Sequence, residues 1–263
     1  MIAVCIATYN HEAFIAQAIE SVLAQVCDEP IRIYIGDDAS TDGTQAVCER
    51  YAAQDERIIY IRREKNLGLV VNTLELYRRI MADGCEYIAM LDGDDYWTDP
   101  HKLQLQVDYL HARPETGLVH TAVQEQGSEP IPEGDLSERY DLAGARQTNC
   151  TVLFLTSLLH QVDLSELQAQ NFPIVDYPLY GLFSQHTLFG YIPTPTAVWR
   201  AHESVSQPRR LTAQWFYRKE RLRMWQWLEK KHPGHFHFNL FYAKLWYIWQ
   251  IFYILFAQIK KKL

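Results

Sequence analysis

Several signatures are absent from this sequence, and each absence removes a class of chemistry. The five cysteines, Cys5, Cys27, Cys48, Cys85 and Cys150, form no CxxC pair. Neither a zinc site nor a disulfide framework is indicated, and the usage fits a reducing compartment. No GxGxxG and no GxxxxGKS/T occurs, so the phosphate cradles of dinucleotide-binding and P-loop proteins are missing. The opening MIAVCIATYN has no basic n-region and no cleavage site; it reads as a first strand rather than a signal peptide. No internal repeat is found. A spanning helix needs about 20 predominantly apolar residues, and the segment 240–257, interrupted by Lys244 and Gln250, is marginal for one.

What is present is an ordinary globular composition, 48% apolar and 22% charged, long enough at 263 residues for one large α/β domain or two smaller ones. The net charge of −7 hides a split. Residues 207–263 carry twelve Lys/Arg against Glu220 and Glu229, a net of +10, which leaves the rest at −17. Such asymmetry marks an attached basic element with its own partner. Trp and Tyr run through that segment and Lys260, Lys261 and Lys262 close it. This is the pattern of a helix lying in a membrane interface on an anionic surface. The alternative is an amphipathic tail packed on the domain or on a second copy of the chain, as in a homodimer. The chain is therefore divided into a domain over 1–206 and a basic, aromatic, helical tail over 207–263. The expected location is cytoplasmic and peripheral on the inner face of the cell membrane.

Strand-like and helix-like segments alternate through the first half. IAVCIAT (2–8), IRIYIGDD (31–38), RIIYI (57–61), EYIAMLD (86–92) and GLVHTAV (117–123) read as strands. Residues 12–25, 41–54, 72–84 and 100–112 read as helices, with Thr41 or Asp42 capping the second, Gly84 ending the third and Pro100 opening the fourth. Residues 124–147 read as a flexible loop, 151–189 as apolar helical segments, and 189–204 as a strand pair or extended edge, because its prolines exclude helix. Alternation of this kind predicts an α/β fold, a mostly parallel central sheet with helices on both faces. Ligands bind such sheets outside the carboxyl ends of the strands. The chain places polar residues there three times: Thr8 and Asn10, Asp37 and Asp38, then Asp92, Asp94 and Asp95.

The third of these ends, MLDGDDYWTD, is the most acidic. Carboxylates at a strand end suit a hard divalent cation such as Mg²⁺ or Mn²⁺, which usually bridges to substrate phosphates. Rival motifs fit less well. A DxDxT phosphatase puts its nucleophile after the first strand, and Tyr96 stands where its threonine belongs. Asp38, Ser40, Asp42, Gly43 and Glu49 match the spacing of a calcium loop, but IRIYIG before them is strand-like rather than helical. Asp99, before Pro100, reads as a helix cap, and Trp97 as packing beneath the turn.

In this series of motifs the sequence resembles the inverting family 2 glycosyltransferases of GT-A fold, of the kind that build bacterial surface polysaccharides. The resemblance covers roughly residues 1–206. It rests on IATYNHEAFIAQAIESVLAQ, IGDDASTDGT, NLGLVVN, LDGDDYWTDPHKLQLQVDYL, IVDYPLY and VWRAHESVSQ. It implies a GT-A sheet, a nucleoside diphosphate sugar donor (usually UDP-linked), Mn²⁺ or Mg²⁺, and a glycan or lipid-linked glycan acceptor, with no role for nucleic acid. Thr8 and Asn10 would line the nucleotide pocket, Asp38 would hydrogen-bond the base, and Asp92 would lie near the ribose. Asp94 would bind the metal, with Asp95 beside it near the sugar. Asp176 would be the catalytic base. Arg200 and His202 would contact the diphosphate or complete the metal site. The residues leave other readings open: Asp38 and Asp176 could be helix caps and His202 a surface histidine. An inactive nucleotide-sugar-binding protein or a nucleotidyltransferase would also use strand-end aspartates.

The chemistry agrees with the resemblance. A departing diphosphate gains charge that a metal must offset, and an attacking hydroxyl must lose a proton to a carboxylate. One metal-binding cluster and one separate aspartate meet both needs and invert the anomeric carbon in a single displacement. For the tail, removing residues 234–263 should release the protein from anionic liposomes in a sedimentation assay. Equal binding by the truncated chain would refute the membrane role.

Overall fold

The computed structural model describes residues 1–125, 130–131, 148–200 and 211–234. Its parallel half is β1 (Ile2–Thr8), β2 (Ile31–Asp37), β3 (Ile58–Arg62) and β4 (Tyr87–Asp92). The helices between them are α1 (Ile15–Leu23), α2 (Thr44–Ala52) and α3 (Leu69–Ala82). The two-residue β5 (Tyr96–Trp97), α4 (Lys102–Ala112), β6 (Thr116–Glu125) and β7 (Pro130–Ile131) follow. The remainder comprises β8 (Leu153–Leu155), α5 (Leu164–Ala169), α6 (Asp176–Phe183), β9 (Leu188–Trp199) and α7 (Leu211–Lys231). Among the described residues these strands form one nine-stranded mixed sheet in the order β3-β2-β1-β4-β8-β6-β9-β5, with β7 beside β6.

Every residue of β1 is buried, as expected of a strand covered on both faces. Its side chains alternate between two cores. Ala3 and Cys5 face the layer built by α3, α5, α6 and α7, while Ile2, Val4 and Ile6 face α1, α2 and α4. The β1–β2 register pairs Thr8 with Asp37, and the β1–β4 register pairs Ala7 with Asp92. The three polar strand ends therefore stand side by side. β1 lies between β2 and β4, so the chain reverses its direction of travel across the sheet at this point. That is the crevice where doubly wound sheets take their ligands.

Three segments differ from their sequence expectation. Part of the apolar stretch 151–189 is strand: β8 inserts antiparallel between β4 and β6. A buried three-residue strand has no periodicity to distinguish it from helix. β9 is one continuous strand rather than a strand pair, parallel to β6 and joined by antiparallel β5 only at Ala197 and Val198, so its proline stretch is an edge, as expected. Its prolines, Pro193 and Pro195, fall where the β6–β9 register shifts between Thr121 and Val123, so the bulge absorbs the missing N–H donors. The helix expected to open at Pro100 starts at Lys102; the Asp99 carboxylate accepts the His101 N–H at 2.8 Å and its carbonyl accepts Lys102 N–H. The N-cap is His101, with no side-chain capping bond, so Asp99 is not the cap the sequence indicated; it closes an Asx turn ahead of the helix. Of the expected loop 124–147, only residues 124–125 and the β7 pair are described, and the tail beyond residue 234 lies outside the described residues.

The first helix of the basic segment, α7, packs on the domain. Met224, Trp225 and Leu228 are buried in the same core as α3 and α6. No helix among the described residues is long and apolar enough to cross a membrane. Leu228 is fully buried, so Leu228→Ala should lower stability by about 2–5 kcal/mol in urea unfolding. A change below about 0.5 kcal/mol, the size of an ordinary surface substitution, would mean that α7 is not part of the core.

Candidate active site

The acidic turn is held against the end of β1 by close contact. Gly93 N–H donates to the Ala7 carbonyl at 3.1 Å. A Cβ on Gly93 would lie 2.7 Å from Thr8 Oγ1 and 2.8 Å from His11 Nδ1, so only glycine fits between the two carboxylates of DGD. Thr8 is buried, and its hydroxyl lies 3.2 Å from His11 Nδ1. The other face of that imidazole points toward the turn, with Nε2 3.9 Å from an Asp94 carboxylate oxygen.

Asn10, expected in the nucleotide pocket, ties the β1 end to the β2 end. It adopts a left-handed conformation, φ 56°, tolerated well by asparagine. Its carbonyl oxygen accepts Thr41 N–H at 2.8 Å, and its own N–H donates to Ser40 Oγ at 2.9 Å. Asp38 is buried and its two carboxylate oxygens accept the N–H groups of Leu67 and Gly68 at 2.7 and 2.8 Å. Those bonds hold the loop after β3 over the strand ends, and strand β2, where a calcium loop needs a helix, counts against the calcium-loop reading. A carboxylate oxygen has two lone pairs, so each still has one acceptor position. Neighbouring Asp37 is fully buried and accepts from Ser40 N–H and the Tyr60 hydroxyl.

Within the turn the three aspartates have different surroundings. Asp92 accepts two contacts from Asn149 Nδ2, at 3.0 and 3.2 Å, and Asn149 Oδ1 accepts the Tyr180 hydroxyl at 2.9 Å. Burial holds the Asp92 pKa well above the ordinary carboxylate range, reinforced by the charges of Asp95, Asp94 and Asp176 and opposed by Asn149. Asp95 is buried and accepts the Arg200 backbone N–H at 2.9 Å. Burial and then the Asp94 charge push its pKa up to about 7. The Asp94 side chain is 17% exposed, and Asp92 is likewise only partly covered. Trp97 packs beneath the turn, buried, its indole N–H donating to the Cys150 carbonyl at 2.8 Å.

Arg200 is built into the protein behind this turn. Its guanidinium donates to the Asp94 carbonyl and to Gln17 Oε1, and it lies 5.1 Å from the Phe14 ring centre and 4.5 Å from that of Tyr96. Asp176 opens α6. Burial raises its pKa, and backbone N–H groups of the helix start and the Arg221 charge oppose the rise. It follows Val175 rather than serving as the N-cap itself. His202 lies outside the described residues.

The structure thus brings Thr8, Asn10, Asp38, Asp92, Asp94 and Asp95 to one sheet edge. It places Asp176 within electrostatic reach of Asp92 and seats Arg200 behind Asp94. It adds His11, Gln17, Asn149 and Tyr180, which the sequence reading left out. His11 and Gln17 lie inside a quoted motif but carry no strand-end signal, and Asn149 and Tyr180 reach Asp92 only across the sheet. Among the described residues no three His, Cys, Asp or Glu side chains converge as a resident metal site. A half-buried carboxylate in an acidic turn is a donor type that Mg²⁺ or Mn²⁺ takes singly or in pairs, with water completing the shell.

A protein-family model described as Glycosyl transferase family 2 matches residues 3–158. The chain belongs to this family. An uncharacterised protein of Mycobacterium tuberculosis (strain H37Rv) is 33% identical over 204 residues, covering 74% of this chain and 57% of the relative. TuaG of Bacillus subtilis (strain 168), named as a candidate teichuronic acid biosynthesis glycosyltransferase, is 34% identical over 113 residues, 43% of each chain. The chain thus spans just over half the length of its mycobacterial relative. Among solved structures, S. aureus TarS in complex with UDP-GlcNAc superposes with a TM-score of 0.65 at 14% identity, covering 92% of this chain and 69% of that one. The mannosyltransferase PcManGT from Pyrobaculum calidifontis, in complex with GDP-Man and Mn²⁺, gives 0.59 at 19% identity, covering 88% and 63%. At such identities the likeness concerns the GT-A fold alone. In this family 2 domain, Gly93→Ala must displace Thr8 and His11. It should lower stability by about 1–3 kcal/mol in chemical unfolding; an unchanged midpoint would show that the turn is not seated on β1 as described.

Proposed function

We propose that the protein is a metal-dependent inverting glycosyltransferase. It would move a sugar from a nucleoside diphosphate sugar, UDP-linked by preference, to a hydroxyl of a glycan or lipid-linked glycan in polysaccharide synthesis. One observation carries the reading: the acidic turn sits at the crevice between β1 and β4, and the charge of a separate carboxylate, Asp176 at the start of α6, bears on Asp92. The bound UDP-GlcNAc of TarS, the bound GDP-Man and Mn²⁺ of PcManGT, and the teichuronic acid role in TuaG's name support donor, metal and product class respectively.

In this reading Thr8, Asn10, Asp38 and Asp92 line the nucleotide. Asp38 is oriented by its two backbone N–H partners and uses a remaining lone pair for a base N–H. Asp94, with His202 as the second ligand and His11 beside it, would hold the divalent metal, which would supply positive charge for the departing diphosphate. Asp95 and Arg200 hold the turn and the sugar-diphosphate end. Asp176 takes the proton from the acceptor hydroxyl as that oxygen attacks the anomeric carbon opposite the leaving group. Inversion follows, because no second carboxylate needs to act as nucleophile. The acceptor arrives at an anionic membrane face to which the basic tail binds.

Asp176 works as a base only when ionised. Its raised pKa means that transfer should fall with acidification at a pH above that of an ordinary exposed carboxylate. The test uses a panel of UDP-, GDP- and dTDP-sugars with Mn²⁺ and glycan acceptors, following nucleoside diphosphate release and thermal shift. Asp94→Asn should abolish metal-dependent turnover with its melting temperature retained; unchanged turnover removes Asp94 as ligand. Asp176→Asn should keep the donor-induced thermal shift while transfer falls about 10²–10⁴-fold, and near-normal transfer removes it as base.

A further inference from the structure

The C-terminal helix does more than cover the sheet. Arg221, Trp225 and Leu228 recur on α7 at the i, i+4, i+7 spacing of one helical face. All three meet α6. A Cβ on Gly181 of α6 would lie 2.6 Å from Leu228 Cδ1, so the two helices touch at a residue with no side chain. The Trp225 indole N–H donates to the Tyr177 hydroxyl. The Arg221 guanidinium lies 4.9 Å from the centre of the Tyr177 ring and 5.6 Å from that of Trp225. The helix is further anchored by Arg223, which donates to the carbonyls of Gln170 and Asn171 at 2.8 and 3.1 Å, and by the Lys231–Glu166 ion pair.

Tyr177 is the residue after Asp176, in the first turn of α6. We propose that Arg221 is a positioning residue for Asp176: lying over Tyr177, whose hydroxyl Trp225 holds, it fixes the first turn of α6 and sets a permanent cation over the residue that follows the carboxylate. The inference rests on the reading of Asp176 as the base. The other groups that bear on this site are anionic or neutral: Asp92 from β4, Tyr77 from α3 and Tyr180 from α6 itself. Arg221 opposes them and favours the charged carboxylate, the form that accepts a proton. Guanidinium suits the place because it stacks flat on aromatic rings and stays charged at any working pH. A basic segment that the sequence assigns to a membrane surface thereby also supplies part of the acceptor side of the site.

The test needs no donor or acceptor. The full chain is labelled with aspartate carrying 13C at its side-chain carboxyl. The Asp176 signal, identified by its loss in Asp176→Asn, is titrated by NMR in wild type, Arg221→Lys and Arg221→Gln. The Asp176 midpoint should move to higher pH in Arg221→Gln and stay near wild type in Arg221→Lys, which keeps the charge. An unchanged midpoint in Arg221→Gln overturns the inference. If that variant does not fold, Tyr177→Leu carries the test by removing the ring under Arg221: a raised midpoint supports the inference and an unchanged one overturns it. Failure of the base reading looks different. Asp176→Asn would then transfer sugar at a near-normal rate whatever the titrations give, whereas a flat titration with an inactive Asp176→Asn leaves the base in place and removes Arg221.

Discussion

Gly93 has no side chain, and the turn from Asp92 to Asp95 lies directly on the end of β1 for that reason. A methyl group at this position would overlap Thr8 and His11. Closing the gap puts Asp94 beside His11 and Asp92 in register with Ala7. The rest of the site is arranged around this contact. Arg200 grips the turn from β9 and α1, and Asn149 links Asp92 to Tyr180 on α6. Three carboxylates in four residues repel one another. The fold accommodates them by giving each a distinct environment: Asn149 for Asp92, the Arg200 N–H for Asp95, and the His11 imidazole for Asp94.

That separation turns an undivided patch of charge into parts. Asp95 is committed to the protein's own backbone and Asp92 to an amide. The strain of the site is local to Ala39 at the end of β2, φ 60°, beside Asn10 at the end of β1, φ 56°, a conformation asparagine tolerates. Unusual backbone at two adjoining strand ends is where a ligand crevice tends to keep it. The Asp38 carboxylate completes the frame by holding the β3–α3 loop, so binding and architecture share one side chain.

Much of the parallel half was legible in the sequence. The four strands ending at Thr8, Asp37, Arg62 and Asp92 have short apolar runs closed by polar residues, and parallel strands buried on both faces read that way. The helices between them have clear spacing, as at Ile15, Ala18, Ile19 and Val22. The second half was less legible. β8 is three residues long, and β9 runs as one strand beside β6, its two prolines accommodated at a bulge on the open side. In the site, strand-end aspartates were visible because charge after an apolar run is a local signal. Asn149, Tyr180 and Gln17 were not, since nothing beside them in the chain marks partners 31 to 183 residues away.

The sequence by itself determined which residue types stand at which strand ends, and so the acidic turn, its glycine and its family. Those are properties of spacing along the chain. Only the tertiary structure decided what each carboxylate does. Register sets Asp92 against Ala7, the approach of β9 assigns Asp95 to Arg200, and the docking of α7 on α6 brings Arg221 to the turn that begins with Asp176. Hydrogen bonds and charge depend on distance in space, and the distances that matter here join residues far apart in the chain.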